Sequence, residues 1–303
     1  MTVLQFNERV YEAIIRRRSI RRYKKEEVDP ALQGKILKFK SKIVPLEPEN
    51  QFDYTIHRVK DRPEGLVEIL GLYGKIADCP HFILPLLRGQ KHVHEDLGFR
   101  MQQLVIYLTE LGIATCYIGS AHREEKVREM FDLGEDERIT AFILFGYPDE
   151  RLEARQFEEH IWRNVGARNK KPLEQILFKD TFGNPFPLEE LEPRHKKVFE
   201  AARNTPSAVN TQPWRFIFKD GKVVYLAVQR GLQYHKKLGA AVGEKYKFCL
   251  TDAGIVMGNF MLASRVYGFQ GNWELIADEG ERKKISSLLA LPSNFYLVAS
   301  SSF

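Results

Sequence analysis

The chain of 303 residues is long enough for one large domain or two ordinary ones, and 44% of it is hydrophobic, which allows a substantial buried core. This composition excludes a disordered chain, and no apolar run approaches the roughly 20 residues that a membrane helix requires. The formal charge of +6 is distributed among 40 acidic residues, so charge alone does not predict binding to nucleic acid. We therefore expect a globular protein with no nucleic-acid partner and no membrane partner.

The N-terminal residues and the cysteines bear on location. Residues 1–8 lack the basic start, apolar middle and small-residue cleavage site of a secretory signal, so we expect a cytoplasmic location. Cys79, Cys116 and Cys249 are widely spaced and odd in number, which excludes a disulfide framework and a CxxC pair. We interpret them as buried thiols.

Helices and strands are predicted from hydrophobic periodicity and from capping residues. In the first half, Asn7 caps a helix with Val10, Ala13 and Ile14 on one face, and a second helix starts at Pro30. A long helix runs from about 94 to 111 and is closed by Gly112. Strands are predicted at 54–59, 81–84, 113–118 and 139–145. Pro85 suggests that the second of these strands lies at a sheet edge or ends there.

The second half of the chain repeats this plan. Its predicted elements are a helix at 193–203, a hairpin of strands at 215–218 and 223–228, a long helix at 252–267 stopped by Gly268, and a strand at 271–276. Five residues of the first half match five of the second without a gap, at a separation of 156 residues (from 96 to 252): Asp96, Gly98, Met101, Gly112 and Tyr117 match Asp252, Gly254, Met257, Gly268 and Trp273. We infer an internal duplication and an α+β fold of two similar helix-and-sheet halves whose long helices pack together.

Two segments carry side chains suited to binding a ligand. Arg17-Arg18-Ser19-Ile20-Arg21 concentrates guanidinium groups around a hydroxyl, as a phosphate monoester requires, although a solvated basic helix end is the alternative. The segment Asn204 to Arg215 is rich in turn formers and in amide and hydroxyl groups that could meet a polar heterocycle. A capped turn between a helix and a strand, with Trp214 in the core, is the alternative for this segment.

Together, these segments resemble the nitroreductase family, which is FMN-dependent and has a mixed α+β fold. Its members end their first helix in RRSxR and carry a PSxxNxQPW loop, and both patterns occur here, at 17–21 and 206–214. Residues 111–120 are similar to the end of the family's central helix and the strand that follows it. Residues 145–148 are similar to its next strand end, and residues 168–174 to its basic segment near the phosphate site. The fused, TM1586-like nitroreductase subgroup is the best match.

The resemblance implies FMN as the cofactor and specific residues that bind it. On the phosphate side these are Arg17, Arg18, Ser19, Arg21, Arg168 and Lys170. Gly119 would approach the flavin through its backbone, and the ring side would be formed by Pro206, Ser207, Asn210 and Gln212. The resemblance also implies NAD(P)H as electron donor and a small nitroaromatic or quinone as acceptor, with no catalytic residue and no metal supplied by the protein.

The order of the motifs departs from the usual family pattern. Ordinary members carry the loop within a few tens of residues of the first helix, whereas almost two hundred residues intervene here. The first half has residues 40–50 in place of the loop motif, and the second half has no RRSxR. Since the family's homodimer binds flavin at its interface, we expect residues 1–175, on the phosphate side, and 176–303, on the ring side, to form an intrachain pseudo-dimer with one complete site. We favour a monomer.

Other candidate sites have simpler interpretations. His92 and His94 lack further convincing metal ligands and fit a polar helix start, and residues 158–160 are expected at the surface. No GxGxxG pattern follows a strand, which argues against a Rossmann domain. Two other functions remain open: a flavin-binding or effector-sensing protein without turnover, and a pseudo-enzyme that binds no flavin.

Overall fold

A computed structural model describes residues 6–61, 79–119, 124–164, 166, 169–232 and 247–303. It confirms the α+β fold of two similar halves, each with a sheet beside one long helix. The two long helices make the most extensive contact between any two elements. The pseudo-dimer is therefore held together through its helices, with the sheets on the outside.

The first half contains helices α1 Glu8–Arg16, α2 Pro30–Phe39, α3 Val93–Glu110, α4 Glu124–Phe131 and α5 Leu152–Asn164. Its strands are β1 Gln51–Arg58, β2 His81–Arg88, β3 Ala114–Gly119, β4 Glu137–Arg138 and β5 Ala141–Gly146. They form an antiparallel sheet in the order β1-β2-β5-β3, with β4 also paired to β2. Val59, predicted within the first strand, lies in the turn that follows it.

The prediction of an edge or an exit at Pro85 is wrong, because β2 runs past this residue in the middle of the sheet. On one side β2 pairs with β1 along its full length, with Pro85 opposite Tyr54. On the other side β5 pairs with residues 81–83 and β4 with residues 87–88. Pro85 therefore falls in the gap between two partner strands, where the missing N–H breaks no ladder.

The second half begins with α6 Leu173–Ile176 and β6 Leu177–Lys179 and continues with α7 Pro193–Arg203, β7 Trp214–Lys219, β8 Val223–Gln229, α8 Lys247–Val266, β9 Trp273–Leu275, α9 Glu279–Leu288 and β10 Phe295–Ser302. The sheet order is β6-β7-β8-β10-β9. The predicted hairpin of β7 and β8 is confirmed, and residues 220–222 connect its strands, with positive φ at Asp220 and Gly221.

The first helix packs against both halves. Asn7 caps α1 as predicted, because its side chain accepts a hydrogen bond of 3.0 Å from the Arg9 amide. The apolar face of α1 lies in the core of the second half, in the same cluster as Phe199 and Trp214. Burial of that face fixes the direction in which α1 ends, and so the position of the arginines that follow it.

Both long helices end in the same hydrogen-bonded motif. In α3, the Gly112 amide donates to Thr109 O and the Ile113 amide to Leu108 O. In α8, the amides of Gly268 and Phe269 donate to Arg265 O and Ser264 O. Both glycines have positive φ, as this C-terminal cap requires. The bonds match one by one at the separation of 156 residues, so the internal repeat extends to the backbone geometry.

The long helices cross at two glycines. A Cβ at Gly98 would collide with the backbone oxygen of Thr251, and a Cβ at Gly254 would collide with that of Glu95. The four residues form two matched pairs at the same separation, so the crossing is reciprocal. Glycine is required at both positions because the helix backbones touch there.

Candidate functional site

The two motifs that the sequence separates adjoin in the fold. The side-chain amide of Asn204, which precedes the second motif, donates to Ile14 O at 2.7 Å and to Ile15 O at 3.1 Å. These carbonyls belong to the last turn of α1, directly before Arg17. The junction of the halves therefore contains both the arginine motif and the loop.

Arg17 is a buried cation at this junction. One of its terminal nitrogens lies 3.4 Å from Ser19 Oγ, while its Nε is buried without a hydrogen-bond partner. Burial is the main cause that lowers the pKa of Arg17 to about 10, and the neighbouring Arg18 and Arg21 contribute in the same direction. Arg18 is exposed and donates to its own helix end, at Ile15 O and Arg17 O.

Arg21 is oriented by an acidic residue that sequence analysis misplaced. Glu158 on α5 is buried rather than at the surface, and it lies 3.5 Å from a terminal nitrogen of Arg21. Its carboxylate also accepts hydrogen bonds from the backbone amides of Arg21 and Arg22. Glu158 can be buried because these three partners satisfy its carboxylate. No local sequence pattern predicts them. Arg21 is thus engaged on the far side of Ser19 from Arg17.

The loop from Pro206 to Gln212 is compact and strained. Ser207 Oγ accepts a hydrogen bond of 2.9 Å from the Gln212 amide. Val209, Asn210 and Gln212 all have positive φ, which is uncommon outside glycine and rare for a β-branched residue. Such backbone strain persists only where the surrounding structure enforces it, and it is concentrated at functional sites.

The basic segment after α5 docks on this loop. Asn210 donates to Gly166 O at 2.6 Å, and Gln212 Oε1 accepts from the Lys171 amide at 2.8 Å. Gln212 is buried, and its amide nitrogen also donates to Asn169 O. The side-chain amides of Asn210 and Gln212 therefore join the end of the first half to the loop of the second. Arg168, predicted in the same segment, lies outside the described residues.

Lys170 places a second, partly buried cation at the junction. Its Nζ donates to Thr205 O at 2.5 Å and to Asn210 Oδ1 at 3.2 Å. Burial and, after it, the charge of Arg17 lower the pKa of Lys170 to about 7. Arg17 and Lys170 thus form a cluster of positive charge, to which Arg18 contributes from the surface.

Asp252 is a site residue to which the sequence assigned no role. Its carboxylate accepts hydrogen bonds of 3.1 and 3.3 Å from the Ala208 amide. Burial raises the pKa of Asp252 to about 8, against the opposing effects of the Ala208 N–H and of Lys170. The match of Asp96 with Asp252 in the internal repeat was the only sequence signal for it.

Its counterpart Asp96 has a different environment. Asp96 accepts a hydrogen bond of 2.9 Å from the Leu46 amide, so the loop at 40–50 corresponds to the loop at 206–212. Arg100, one turn along α3, contacts both oxygens of Asp96 at 2.8 and 2.9 Å and also donates to the carbonyls of Glu47 and Asn50. The guanidinium of Arg100 therefore fills this loop, which is the counterpart of the candidate site.

Gly119 ends β3 beside the second half. A Cβ there would lie 3.3 Å from Cε1 of Phe248, which is tighter than nearly all such contacts. The structure does not bring Gly119 into a hydrogen bond with the other predicted residues. An open groove of about 510 Å³ elsewhere in the first half contains none of the predicted cofactor ligands and is lined by Glu27, Pro30, Gln33, Ile56, His57, Arg58 and Asp61.

The remaining predictions concern the two histidines, metal sites, membrane helices and the cysteines. His92 and His94 lie at the start of α3, as predicted, with His92 as its N-cap. Within the described ranges, no group of three or more His, Cys, Asp and Glu side chains could hold a metal ion. Of the helices in the described parts of the chain, none is long and apolar enough to span a bilayer. All three cysteines are buried, as predicted.

Comparison with solved structures shows the class of fold. The structure of a putative nitroreductase from Thermotoga maritima matches with a TM-score of 0.55 and 18% identity over 95% of this chain and 92% of that chain. A putative NADH oxidase from Clostridium acetobutylicum gives a TM-score of 0.40 and 20% identity over 46% of this chain and 89% of that one. Nitroreductase A from Vibrio parahaemolyticus gives a TM-score of 0.42 and 15% identity over 52% of this chain and 84% of that one.

The family follows from the sequence match. Residues 9–264 match the model of the family described as "Putative TM nitroreductase", and the chain belongs to that family. Membership and fold together support an oxidoreductase function. A comparison with curated proteins gave no match.

Proposed function

We propose that the protein is an FMN-dependent oxidoreductase that passes electrons from NAD(P)H to a small electron-poor acceptor of the nitroaromatic or quinone type. The observation that carries this proposal is a pair of neighbouring cations at the junction of the halves: Arg17, which is buried, and Lys170, which is partly buried. Among the described residues, neither is in a salt bridge, although the carboxylate of Asp252 acts on Lys170 through its charge. A phosphate monoester would supply a counter-charge for both.

The residues present fit the phosphate group of FMN. The unpartnered Nε of Arg17 is a buried donor that requires an acceptor, and the Ser19 hydroxyl lies beside the same guanidinium. Lys170 would add a third donor from the segment that crosses to the second half, with Arg18 at the edge. Arg21 would act mainly through its contact with Glu158, and Arg168 remains a proposed ligand from the resemblance.

The loop at 206–212 would meet the ring system of the flavin. Since the amides of Asn210 and Gln212 are engaged in docking the basic segment, these side chains would shape the loop. Pro206, Ser207 and the strained backbone around Val209 would then face the cofactor, together with the backbone of Gly119. Bound FMN would supply reversible two-electron chemistry, so we assign no catalytic acid, base or nucleophile to the chain.

One site per chain follows from the asymmetry between the halves. The counterpart loop at 40–50 is filled by Arg100, whereas the residue that matches Arg100 in the repeat is Val256. We further propose that the halves, 1–175 and 176–303, arose by duplication and that the fused chain functions as a monomer.

The visible absorption spectrum of the purified protein, with the released chromophore identified by mass, tests the proposal. We expect one FMN per chain. Colourless protein that also fails to bind added FMN would contradict it and would favour the pseudo-enzyme. Flavin-loaded protein that does not oxidise NAD(P)H with any nitroaromatic or quinone acceptor would instead favour a flavin-binding sensor.

FMN binding is expected to weaken as pH rises from 7 to 9. The amine of Lys170, whose pKa is about 7, is charged below that pH and neutral above it, whereas a bound phosphate would keep the amine protonated. The affinity for FMN should therefore have its full value below pH 7 and fall by up to about tenfold per pH unit above pH 7. Asp252, whose pKa is about 8, gains negative charge over the same range and acts in the same direction.

Titration of apoprotein with FMN at several pH values measures this effect. Lys170→Met should bind FMN more weakly at pH 6.5 and lose most of the alkaline slope. Lys196→Met, which removes an exposed lysine of α7, should keep the wild-type slope. An unchanged slope in Lys170→Met would assign the titration to another group.

A further inference from the structure

A chain of buried hydrogen bonds crosses the two long helices and ends at the candidate site. The Tyr117 hydroxyl donates to Gln102 Oε1 at 2.9 Å, and Gln102 Nε2 donates to Asn259 Oδ1 at 2.7 Å. Asn259 Nδ2 then donates to Thr205 Oγ1 at 2.9 Å. We call these four residues the interhelical polar chain. It begins on β3 of the first half and ends just before the loop of the second.

Both amides in the chain are fully enclosed. Gln102 has no exposed surface and Asn259 is 1% exposed, and the second hydrogen of Asn259 is donated to Ala201 O at 3.2 Å. Buried amides destabilise a protein unless they are paired. Here each polar side-chain atom of the two amides has a hydrogen-bond partner.

The internal repeat shows that the chain has no copy on the other side of the molecule. At the separation of 156 residues, Asn259 corresponds to Gln103, whereas Gln102 corresponds to Gly258. Gln103 bonds to the amide and the carbonyl of Val44, so it holds the counterpart loop from its own half alone. Among the described residues, the side that carries the candidate site has this side-chain connection across both helices, and the counterpart position does not.

Both ends of the chain reach the phosphate side of that site. Tyr117 lies on β3, whose Thr115 carbonyl accepts a hydrogen bond of 3.0 Å from the Ile20 amide of the arginine motif, and it lies within electrostatic reach of Arg17. At the other end, the carbonyl of Thr205 accepts the hydrogen bond from Lys170 Nζ. We propose that Gln102 and Asn259 are positioning residues for FMN, which link β3 to Thr205 and so hold Arg17 and Lys170 at a fixed separation. This inference rests on the proposed function.

The test compares FMN affinity with stability in three variants. Asn259→Leu and Gln102→Met keep the side-chain volume and remove the polar link, and each should raise the Kd for FMN about tenfold. Gln103→Met is the matched control, because it breaks the three hydrogen bonds of a buried amide at the counterpart position. Because Gln103 makes three hydrogen bonds, this variant should lose at least as much stability in urea and still bind FMN within about twofold of the wild type.

Two further variants separate positioning from general destabilisation. Gln102→Asn combined with Asn259→Gln keeps both amides and their summed length, and it should restore the Kd to within about threefold of the wild type. If Asn259→Leu does not fold, Thr205→Val tests the same chain, since it removes only the hydroxyl and should also weaken binding.

Wild-type affinity in both single variants would overturn the inference and leave the proposed function intact. An equal loss of affinity in Gln103→Met would also overturn it, because the effect would then follow stability. A wild-type chain that does not bind FMN would overturn both.

Discussion

Arg17→Met is expected to weaken FMN binding by about a hundredfold or more while leaving the apoprotein at least as stable as the wild type. The loss follows from removal of a charge-assisted donor in a buried site, which typically costs several kcal/mol in binding. The effect on stability has the opposite sign, because Arg17 is buried, its Nε has no partner, and no described carboxylate pairs with it.

The size of the stability effect can be bounded from the pKa. Lowering the pKa of Arg17 from its ordinary value to about 10 corresponds to about 3 kcal/mol of unfavourable interaction of the charged form. Methionine fills most of the same space without that charge. We therefore expect a gain of about 1 kcal/mol or more, as is common where a binding site is maintained at the expense of stability.

Flavin fluorescence quenching gives the Kd, and urea unfolding followed by circular dichroism gives the stability. Arg16→Met is the matched control, since it removes the same charge one residue earlier, where Arg16 is exposed and bonds to Thr109 O. It should bind FMN as the wild type does. A wild-type Kd in Arg17→Met would show that the phosphate lies elsewhere.

Elements with an explicit start or stop could be predicted from sequence. Asn7 caps α1, Pro30 opens α2 after the capping Asp29, and Gly112 and Gly268 close the long helices. In each case a single residue type performs a local function that few others can perform. The strands with uninterrupted apolar patterns, such as β5, were also placed within two residues of their ends.

Residues whose environment depends on distant partners could not be predicted. Glu158 lies in a run of polar residues, and only the backbone of residues 21 and 22 makes it a buried ligand. Pro85 is accommodated in a central strand because two other strands happen to leave a gap beside it. The arginine motif itself was predicted as a unit, yet Arg17 and Arg21 are directed to different partners.

The internal repeat predicted equivalent positions but not their different use. Asp96 receives its counter-charge from Arg100 on its own helix. At Asp252 the nearest such position is Val256, and the opposing cation is Lys170 from the first half. The two matched positions thus carry arginine in one half and valine in the other, and among the described residues the cation that acts on Asp252 is Lys170, which comes from the first half of the chain.

Gly254→Ala is expected to destabilise the protein by about 3 kcal/mol or more. The new Cβ would collide with the backbone oxygen of Glu95 on the partner helix, and a backbone atom cannot rotate away as a side chain can. Overpacking in a core usually costs about 1–3 kcal/mol, and here the two longest helices would have to separate. The free energy of unfolding in urea is the measurement.

Gly34→Ala is the matched control in α2, because a Cβ there meets nothing within 4 Å. It should stabilise the protein by about 0.5–1 kcal/mol through helix propensity. Gly98→Ala should cost as much as Gly254→Ala, because its Cβ would collide with Thr251 in the reciprocal contact. If only one of the two glycines proved sensitive, the crossing would not be symmetric in energy, and the two halves would contribute unequally to the contact that joins them.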